Sequence, residues 1–154
     1  MHMERTVKIL MGLITGVLFI FAASSCSKDE VNQRKIEGKW QSTNVNIVEY
    51  KADKLIDEVS QTCIEWYLGF NFKSDGTGQL IDYEDGESDT YQINWVVMGE
   101  KLMITQQLSN GGSETITFDI IEIKGSTMTL SMTEEDTYNG VQYKEITTYY
   151  FKKM

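Results

Sequence analysis

Apolar and polar residues alternate with a period of two in short segments from residue 36 onward, which is the pattern of half-buried β-strands. Eight strands are predicted, at residues 38–50, 64–73, 77–83, 89–98, 101–107, 114–123, 126–133 and 141–152. In the second and fourth, aromatic residues recur on one face, among them Phe70 and Trp95. Because the chain contains no proline, Gly, Asn and Asp mark the turns between strands.

Two segments lack this alternation. Residues 53–60 are predicted to form a brief helix or an ordered loop, because Leu55, Ile56 and Val59 share one face at helical spacing. Residues 26–35 are polar and charged after an initial cysteine and have no apolar face, which predicts a flexible tether. The folded domain is therefore predicted to span residues 36–154.

The predicted fold class is all-β. Eight consecutive strands joined by tight turns make an antiparallel meander, which either closes as an up-and-down barrel or folds into a sandwich. Closure is favoured because it removes exposed strand edges. An eight-stranded barrel encloses a lumen that is either filled by side chains or holds one small ligand.

The N-terminal residues have the composition of a secretory signal. A basic start with Arg5 and Lys8 precedes an apolar run over residues 9–22 and the small residues 23–25. The run is too short to cross a bilayer comfortably. Cys26 follows, and a cysteine at this point resembles a bacterial lipoprotein signal, in which residues 1–25 are removed and the cysteine is acylated, for example with palmitate. The alternative is an ordinary signal peptide that releases a soluble periplasmic protein.

The charge of the chain restricts its partners. The net charge is −9, and it becomes −10 without the predicted signal, which contains Arg5, Lys8 and Glu4. This balance argues against nucleic acid, which requires a basic surface. It also disfavours direct binding to anionic lipid, so attachment to a bilayer would depend on acyl chains on Cys26.

The inventory of reactive side chains argues against an enzyme. The single histidine, His2, lies in the predicted signal, so the mature chain has no imidazole for general-base or nucleophilic catalysis or for ordinary zinc ligation. Once Cys26 is acylated, Cys63 has no disulfide partner and is interpreted as half-buried and inert. No cofactor and no metal site are predicted.

Two motifs carry a family resemblance. Residues 36–40 (Ile-Glu-Gly-Lys-Trp) resemble the Gly-x-Trp signature at the start of lipocalins. Residues 72–78 (Phe-Lys-Ser-Asp-Gly-Thr-Gly) resemble the hairpin of the lipocalin-like domain lipoproteins of the Bacteroidetes. The likeness covers most of the chain. It implies structural roles at Gly38, Trp40, Asp75 and Gly76, with Trp40 plugging the closed end of the barrel.

The resemblance also implies a location. The acidic residues 27–30 resemble the export signal that follows the lipid-bearing cysteine in surface lipoproteins. The expected location is therefore the outer membrane, lipid-anchored and facing the cell surface.

Four aromatic residues are the candidate ligand contacts: Trp66, Phe70, Tyr91 and Trp95. One interpretation is an apolar calyx for a small hydrophobic ligand, since such pockets are lined by these side chains. The competing interpretation, favoured on general grounds, is that they fill the barrel as core. With a filled barrel, the alternative function is a protein-interaction module, either an inhibitor or an accessory subunit of an envelope complex.

The acidic residues 82–89 raise the question of calcium. Their carboxylates could bind the ion, but the glycine falls at the fifth place of the run instead of the sixth, so the EF-hand pattern fails. A solvated hairpin tip is the preferred interpretation, and the acidic residues 134–136 are interpreted in the same way.

Overall fold

The computed structural model describes residues 28–108 and 111–154. This part of the chain forms one helix and nine strands. The elements are α1 (Lys28–Ile36), β1 (Gly38–Lys51), β2 (Lys54–Thr62), β3 (Trp66–Phe72), β4 (Thr77–Glu84), β5 (Glu87–Met98), β6 (Lys101–Gln107), β7 (Ser113–Lys124), β8 (Thr127–Tyr138) and β9 (Val141–Lys153). In the same ranges, no helix is long and apolar enough to span a membrane.

The strands form one antiparallel sheet that closes on itself. Eight of them, β1 and β3 to β9, follow one another around the barrel, and β1 pairs with β9 to close it. This confirms the predicted eight-stranded antiparallel barrel. The remaining strand, β2, pairs only with β1 among the described elements and is not part of the closed barrel.

Helix α1 lies at the end of the barrel where β1 begins. Its last residue, Ile36, is fully buried in the core, and its carbonyl accepts a hydrogen bond of 2.6 Å from Trp40 Nε1. Near its start, Asp29 Oδ1 accepts a bond of 3.1 Å from the backbone N–H of Gly99. The sequence predicted a flexible tether over residues 26–35, whereas the structure has residues 28–35 in a helix. The polar helix is held at both ends by contacts that its own sequence does not show.

The hairpin between β3 and β4 reinforces this closed end. Asp75 Oδ1 accepts hydrogen bonds from the backbone N–H of Thr77 at 2.9 Å and from its hydroxyl at 2.6 Å. These bonds lower the pKa of the Asp75 carboxyl below its ordinary value. Gly76 has a φ of +82°, a left-handed conformation that glycine adopts without steric cost. Trp95 Nε1 then donates to the carbonyls of Lys73 and Thr77, which ties β5 to this hairpin.

The part of the barrel next to α1 is filled by side chains. Phe70 stands in the middle, with its ring centroid 5.0 Å from that of Phe72, 5.5 Å from Phe151 and 6.3 Å from Phe118. The buried core comprises Ile36, Trp40, Phe70, Phe72, Leu80, Ile93, Trp95, Val97, Leu102, Ile104, Phe118, Met128, Leu130 and Phe151. Side chains therefore occupy the lumen at this end of the barrel.

Four strand segments extend beyond the closed part as a sheet that we call the wing. It consists of residues 132–138 of β8, 141–147 of β9, 44–51 of β1, and all of β2. From the Asp119–Ser131 pair toward the end of the barrel opposite α1, β7 no longer pairs with β8, so the barrel splits there. The predicted helix or loop at residues 53–60 is wrong, because most of that segment belongs to β2.

Strand β3 starts two residues later than the pattern suggested. The predicted strand began at residue 64, but Ile64 lies before β3 and is 79% exposed. The chain crosses from the wing back to the barrel at residues 63–65, and this crossing interrupts the strand.

Candidate functional site

The open end of the barrel, opposite α1, has an apolar layer that is only partly covered. Five side chains rest on the filled core and are half-buried; we call them the apolar floor: Leu68, Tyr91, Ile116, Met132 and Tyr149. Each lies on the inward face by its strand register, because residues directly opposite one another in antiparallel strands share a face. The floor is apolar surface at the opening of a barrel.

The four candidate ligand residues separate into two pairs. Phe70 and Trp95 are 1% and 4% exposed and belong to the core, where Trp95 is also hydrogen-bonded to the β3–β4 hairpin. Trp66 and Tyr91 are half-buried toward the open end. A ligand could contact the second pair without disturbing the packing, whereas contact with the first pair would require the core to open.

Sequence reasoning did not single out the other members of the floor. Tyr149 comes from β9 and Met132 from β8, and both continue the apolar series of the core by one further position. Their alternation was visible, but nothing in a linear pattern distinguishes the last covered position of a strand from the first uncovered one.

Carboxylates surround the floor. On the inward face of the wing, Glu134 lies opposite Glu145, Glu145 opposite Glu49, and Glu49 opposite Asp57. This acidic row crosses all four strands of the wing. On the far side of the opening, the β4–β5 hairpin adds two further acidic cross-strand pairs, 82–89 and 84–87.

The β4–β5 hairpin contains a small depression of about 280 Å³ lined by Asp82, Glu84, Asp85, Glu87 and Asp89. All five residues are exposed. Within residues 28–108 and 111–154, no group of three or more His, Cys, Asp or Glu side chains is arranged to hold a metal ion. The hairpin therefore contributes negative charge to the opening.

Cys63 lies where the wing joins β3. It is half-buried, its Sγ accepts a hydrogen bond of 3.5 Å from Ser42 Oγ, and its N–H donates to the carbonyl of Thr43 at 2.8 Å. Histidine is absent from the described ranges, so no imidazole lies beside this thiol to activate it.

Tyr149 connects the floor with the acidic row. The pKa of its phenol is raised above the ordinary value of 10.0, first by burial and then by the negative charges of Glu145 and Glu134. An ionised Tyr149 would put a further negative charge beside these two carboxylates in a partly dry environment. The neutral phenol is therefore the form that the folded state stabilises.

The raised pKa of Tyr149 predicts a pH dependence of stability. Its contribution is fully present below pH 10, the unfolded value, and is lost as the pH rises through the higher folded value. We expect the free energy of unfolding of the wild type to fall more steeply above pH 10 than that of Tyr149→Phe, measured by urea unfolding across this range. Tyr150→Phe, at an exposed neighbouring tyrosine, is the control and should follow the wild type; equal slopes for all three proteins would contradict the expectation.

Comparison with known proteins bears on the whole fold. The sequence model of a family described as a lipocalin-like domain matches residues 36–130. A lipocalin-like protein from Bacteroides uniformis is similar in structure, with 20% identity, a TM-score of 0.48, and coverage of 78% of this chain and 99% of that one. An uncharacterised protein from Bacteroides eggerthii has 17% identity, a TM-score of 0.45, and coverage of 77% and 98%. No functionally curated protein matches the sequence.

Proposed function

This chain belongs to the family of lipocalin-like domains, and from that premise we propose that it is a non-catalytic binding protein for a small, predominantly apolar ligand. The single observation that carries the proposal is the apolar floor, which lies half-exposed at the open end while the rest of the lumen is filled. Ligand sites in proteins are typically concave and lined by apolar and aromatic side chains with a few polar groups at the rim.

The proposed ligand lies on the floor between Trp66, Tyr91 and Tyr149, above the buried core. Its apolar body would cover side chains that water now reaches, which favours binding by about 25 cal/mol for each Å² removed from water. Phe70 and Trp95 would support the floor from below without contacting the ligand. This modifies the candidate set, because only Trp66 and Tyr91 remain as direct contacts.

The charge around the floor restricts the chemistry of the ligand. The acidic row of the wing and the acidic β4–β5 hairpin would repel a carboxylate or phosphate headgroup, and repulsion between like charges in a partly desolvated site is not fully screened. The proposed ligand is therefore neutral or cationic at its polar end.

A matched pair of methionine variants tests the proposal. Met132 belongs to the floor, whereas Met98 lies on the outside of the barrel and is 57% exposed. We expect Met132→Arg to weaken binding of a neutral apolar fluorophore, N-phenyl-1-naphthylamine, by about tenfold or more, which corresponds to about 1.4 kcal/mol. Met98→Arg should leave its affinity unchanged. Fluorescence titration of each purified protein gives the dissociation constants.

Native mass spectrometry of protein purified from its own host complements this titration. A bound apolar molecule that is present on the wild type and absent from Met132→Arg would support the proposal. Equal fluorophore affinity in both arginine variants, together with no retained molecule, would refute it.

We also propose that the protein is a lipoprotein of the outer membrane, attached through acyl chains on Cys26. Cys26 lies outside the described residues, so this proposal rests on the sequence of the N-terminal signal. A single acyl chain binds a bilayer only marginally, whereas two or more hold a protein stably. The domain itself offers an acidic surface to anionic lipid, so the acyl chains would provide the attachment.

A further inference from the structure

The outer edge of β2 has no neighbouring strand among the described residues. β2 pairs with β1 alone, and all nine of its residues are exposed. The N–H of Cys63 donates to the carbonyl of Thr43 in β1 at 2.8 Å. The backbone N–H and C=O groups of successive residues in an antiparallel strand point alternately toward one neighbouring strand and away from it. Since those of Cys63 point toward β1, those of Glu58, Ser60 and Thr62 point away from it. The N–H of Glu58 donates to Asp57 Oδ1 at 2.9 Å, whereas no neighbouring strand among the described residues pairs with Ser60 and Thr62 on this side. A row of backbone groups without a partner strand is a template for another strand.

One end of this edge leads into an apolar depression. The depression has a volume of about 380 Å³ and is lined by Gln61, Thr62, Ile64, Glu65 and Trp66. Ile64 is largely exposed there, at the crossing from the wing to β3. A strand added beside β2 would place a side chain near Thr62 at the mouth of this depression. Pockets of this kind give specificity to strand addition, while the backbone bonds give affinity.

The charges along the edge have one sign at its centre. Asp57 ends the acidic row on the inward face of the wing, and its neighbour Glu58 lies on the opposite face. The tip of the β4–β5 hairpin is adjacent to the depression, since the N–H of Asp85 donates to the carbonyl of Glu65 at 3.2 Å. An added strand would therefore meet negative charge on both of its faces.

These charges oppose a second copy of the chain at this edge. Each copy carries a net charge of −9, and two β2 strands side by side would add the acidic centre of one to that of the other. Like charges directly opposite one another on adjacent strands are destabilising, whereas opposite charges stabilise the pairing. The same residues that discourage self-association favour a basic partner.

We propose that β2 binds an extended basic segment of a partner protein as an additional strand. Two adjacent lysine or arginine residues of that segment lie opposite Asp57 and Glu58. A large apolar residue of the segment lies beside Thr62 and enters the depression at Ile64 and Trp66. Trp66 lines this depression and also borders the proposed small-molecule site, but the strand pairing along β2 does not depend on that site.

Two synthetic peptides of about ten residues, long enough to cover the nine residues of β2, test the proposal. Both peptides alternate valine and threonine and carry leucine at each end, so that one leucine lies beside Thr62 in either strand direction. One peptide has a central Lys-Lys and the other a central Glu-Glu. We expect the Lys-Lys peptide, at ten times its dissociation constant, to slow backbone hydrogen exchange of Ser60 and Thr62 by about tenfold. The Glu-Glu peptide should leave these amides unchanged. Exchange measured by NMR distinguishes strand addition from loose charge attraction, which protects no amide.

Variants of β2 separate the backbone from the charges. Ser60→Pro removes an outward N–H and should abolish the protection. Ser60→Ala, the matched control, removes only the hydroxyl that donates to Asn46 Oδ1 at 2.8 Å and should retain it. The double variant Asp57→Lys with Glu58→Lys should reverse the preference between the peptides, and it remains informative if Ser60→Pro fails to fold.

Several outcomes would overturn the proposal. One is equal protection by both peptides, and another is protection that persists in a folded Ser60→Pro protein. A third is sedimentation of the free protein as a dimer in which the amides of Ser60 and Thr62 are already protected from exchange. A charge reversal that leaves the peptide preference unchanged would do the same.

Discussion

Replacing Phe70 with alanine is expected to lower the free energy of unfolding by about 3–5 kcal/mol, the range observed for phenylalanine-to-alanine changes in well-packed cores. Phe70 is 1% exposed, and its ring contacts three other phenylalanine rings from β3, β7 and β9. Removing it leaves a cavity where opposite walls of the barrel meet. Urea unfolding of the variant and the wild type measures the difference.

Trp66→Ala is the matched comparison, because both residues lie on the inward face of β3. Trp66 is half-buried at the open end, so its loss should cost only about 1 kcal/mol. The proposed ligand would reverse this order in a binding assay, since Trp66 contacts it and Phe70 does not. A similar loss of stability in the two variants would mean that the lumen is filled along its whole length, and the site on the floor would then be abandoned.

Replacing Cys26 with alanine is expected to abolish acylation entirely. The predicted signal offers one cysteine at its cleavage point, and we propose that acyl chains are attached to this residue. We expect the full-length protein, expressed in a bacterial host with labelled palmitate, to incorporate the label in the wild type and not in Cys26→Ala. Mass spectrometry of the mature wild type should find Cys26 as its first residue.

Cys63→Ala is the control for this experiment. Cys63 is half-buried within the folded domain, so its replacement should leave the label in place. A label that persists in Cys26→Ala would place the acylation at another residue and contradict the proposal. A mature N-terminus elsewhere in an unlabelled protein would show that the chain is exported by an ordinary signal peptide instead.

The eight barrel strands could be predicted because each buries one face along much of its length. In β5, Ile93, Trp95 and Val97 are buried while their neighbours are exposed, so the period of two appears directly in the sequence. The hairpin at Asp75 and Gly76 was recognisable for a similarly local reason, since a turn depends on its own few residues.

The wing could not be predicted in the same way. All nine residues of β2 and the last six of β8 are exposed, so neither segment shows a buried face. Backbone hydrogen bonds to β1 and β9 hold them as strands, and these bonds do not depend on side-chain type. The apolar residues of 53–60 consequently fitted a helical face as well as a strand.

The candidate site shows the same division. The sequence identified Trp66, Phe70, Tyr91 and Trp95 as one inward-facing set, because alternation reports the face of a strand. It could not report the height of each residue along the barrel axis, which depends on the stagger between strands and on what packs from the other walls. That height separates the core residues Phe70 and Trp95 from Trp66 and Tyr91 at the opening.

The sequence by itself determined the fold class, the acidic character of the chain and the absence of histidine beyond His2, and it is the basis for predicting a secretory signal over residues 1–25. These follow from composition and local periodicity, which every residue carries with it. The tertiary structure alone decided that side chains fill the lumen next to α1 and that the apolar floor remains half-buried. It also decided that Asp57 lies in one row with Glu49, Glu145 and Glu134. These features arise from contacts between strands that are distant in the chain, and a linear pattern contains no record of such contacts.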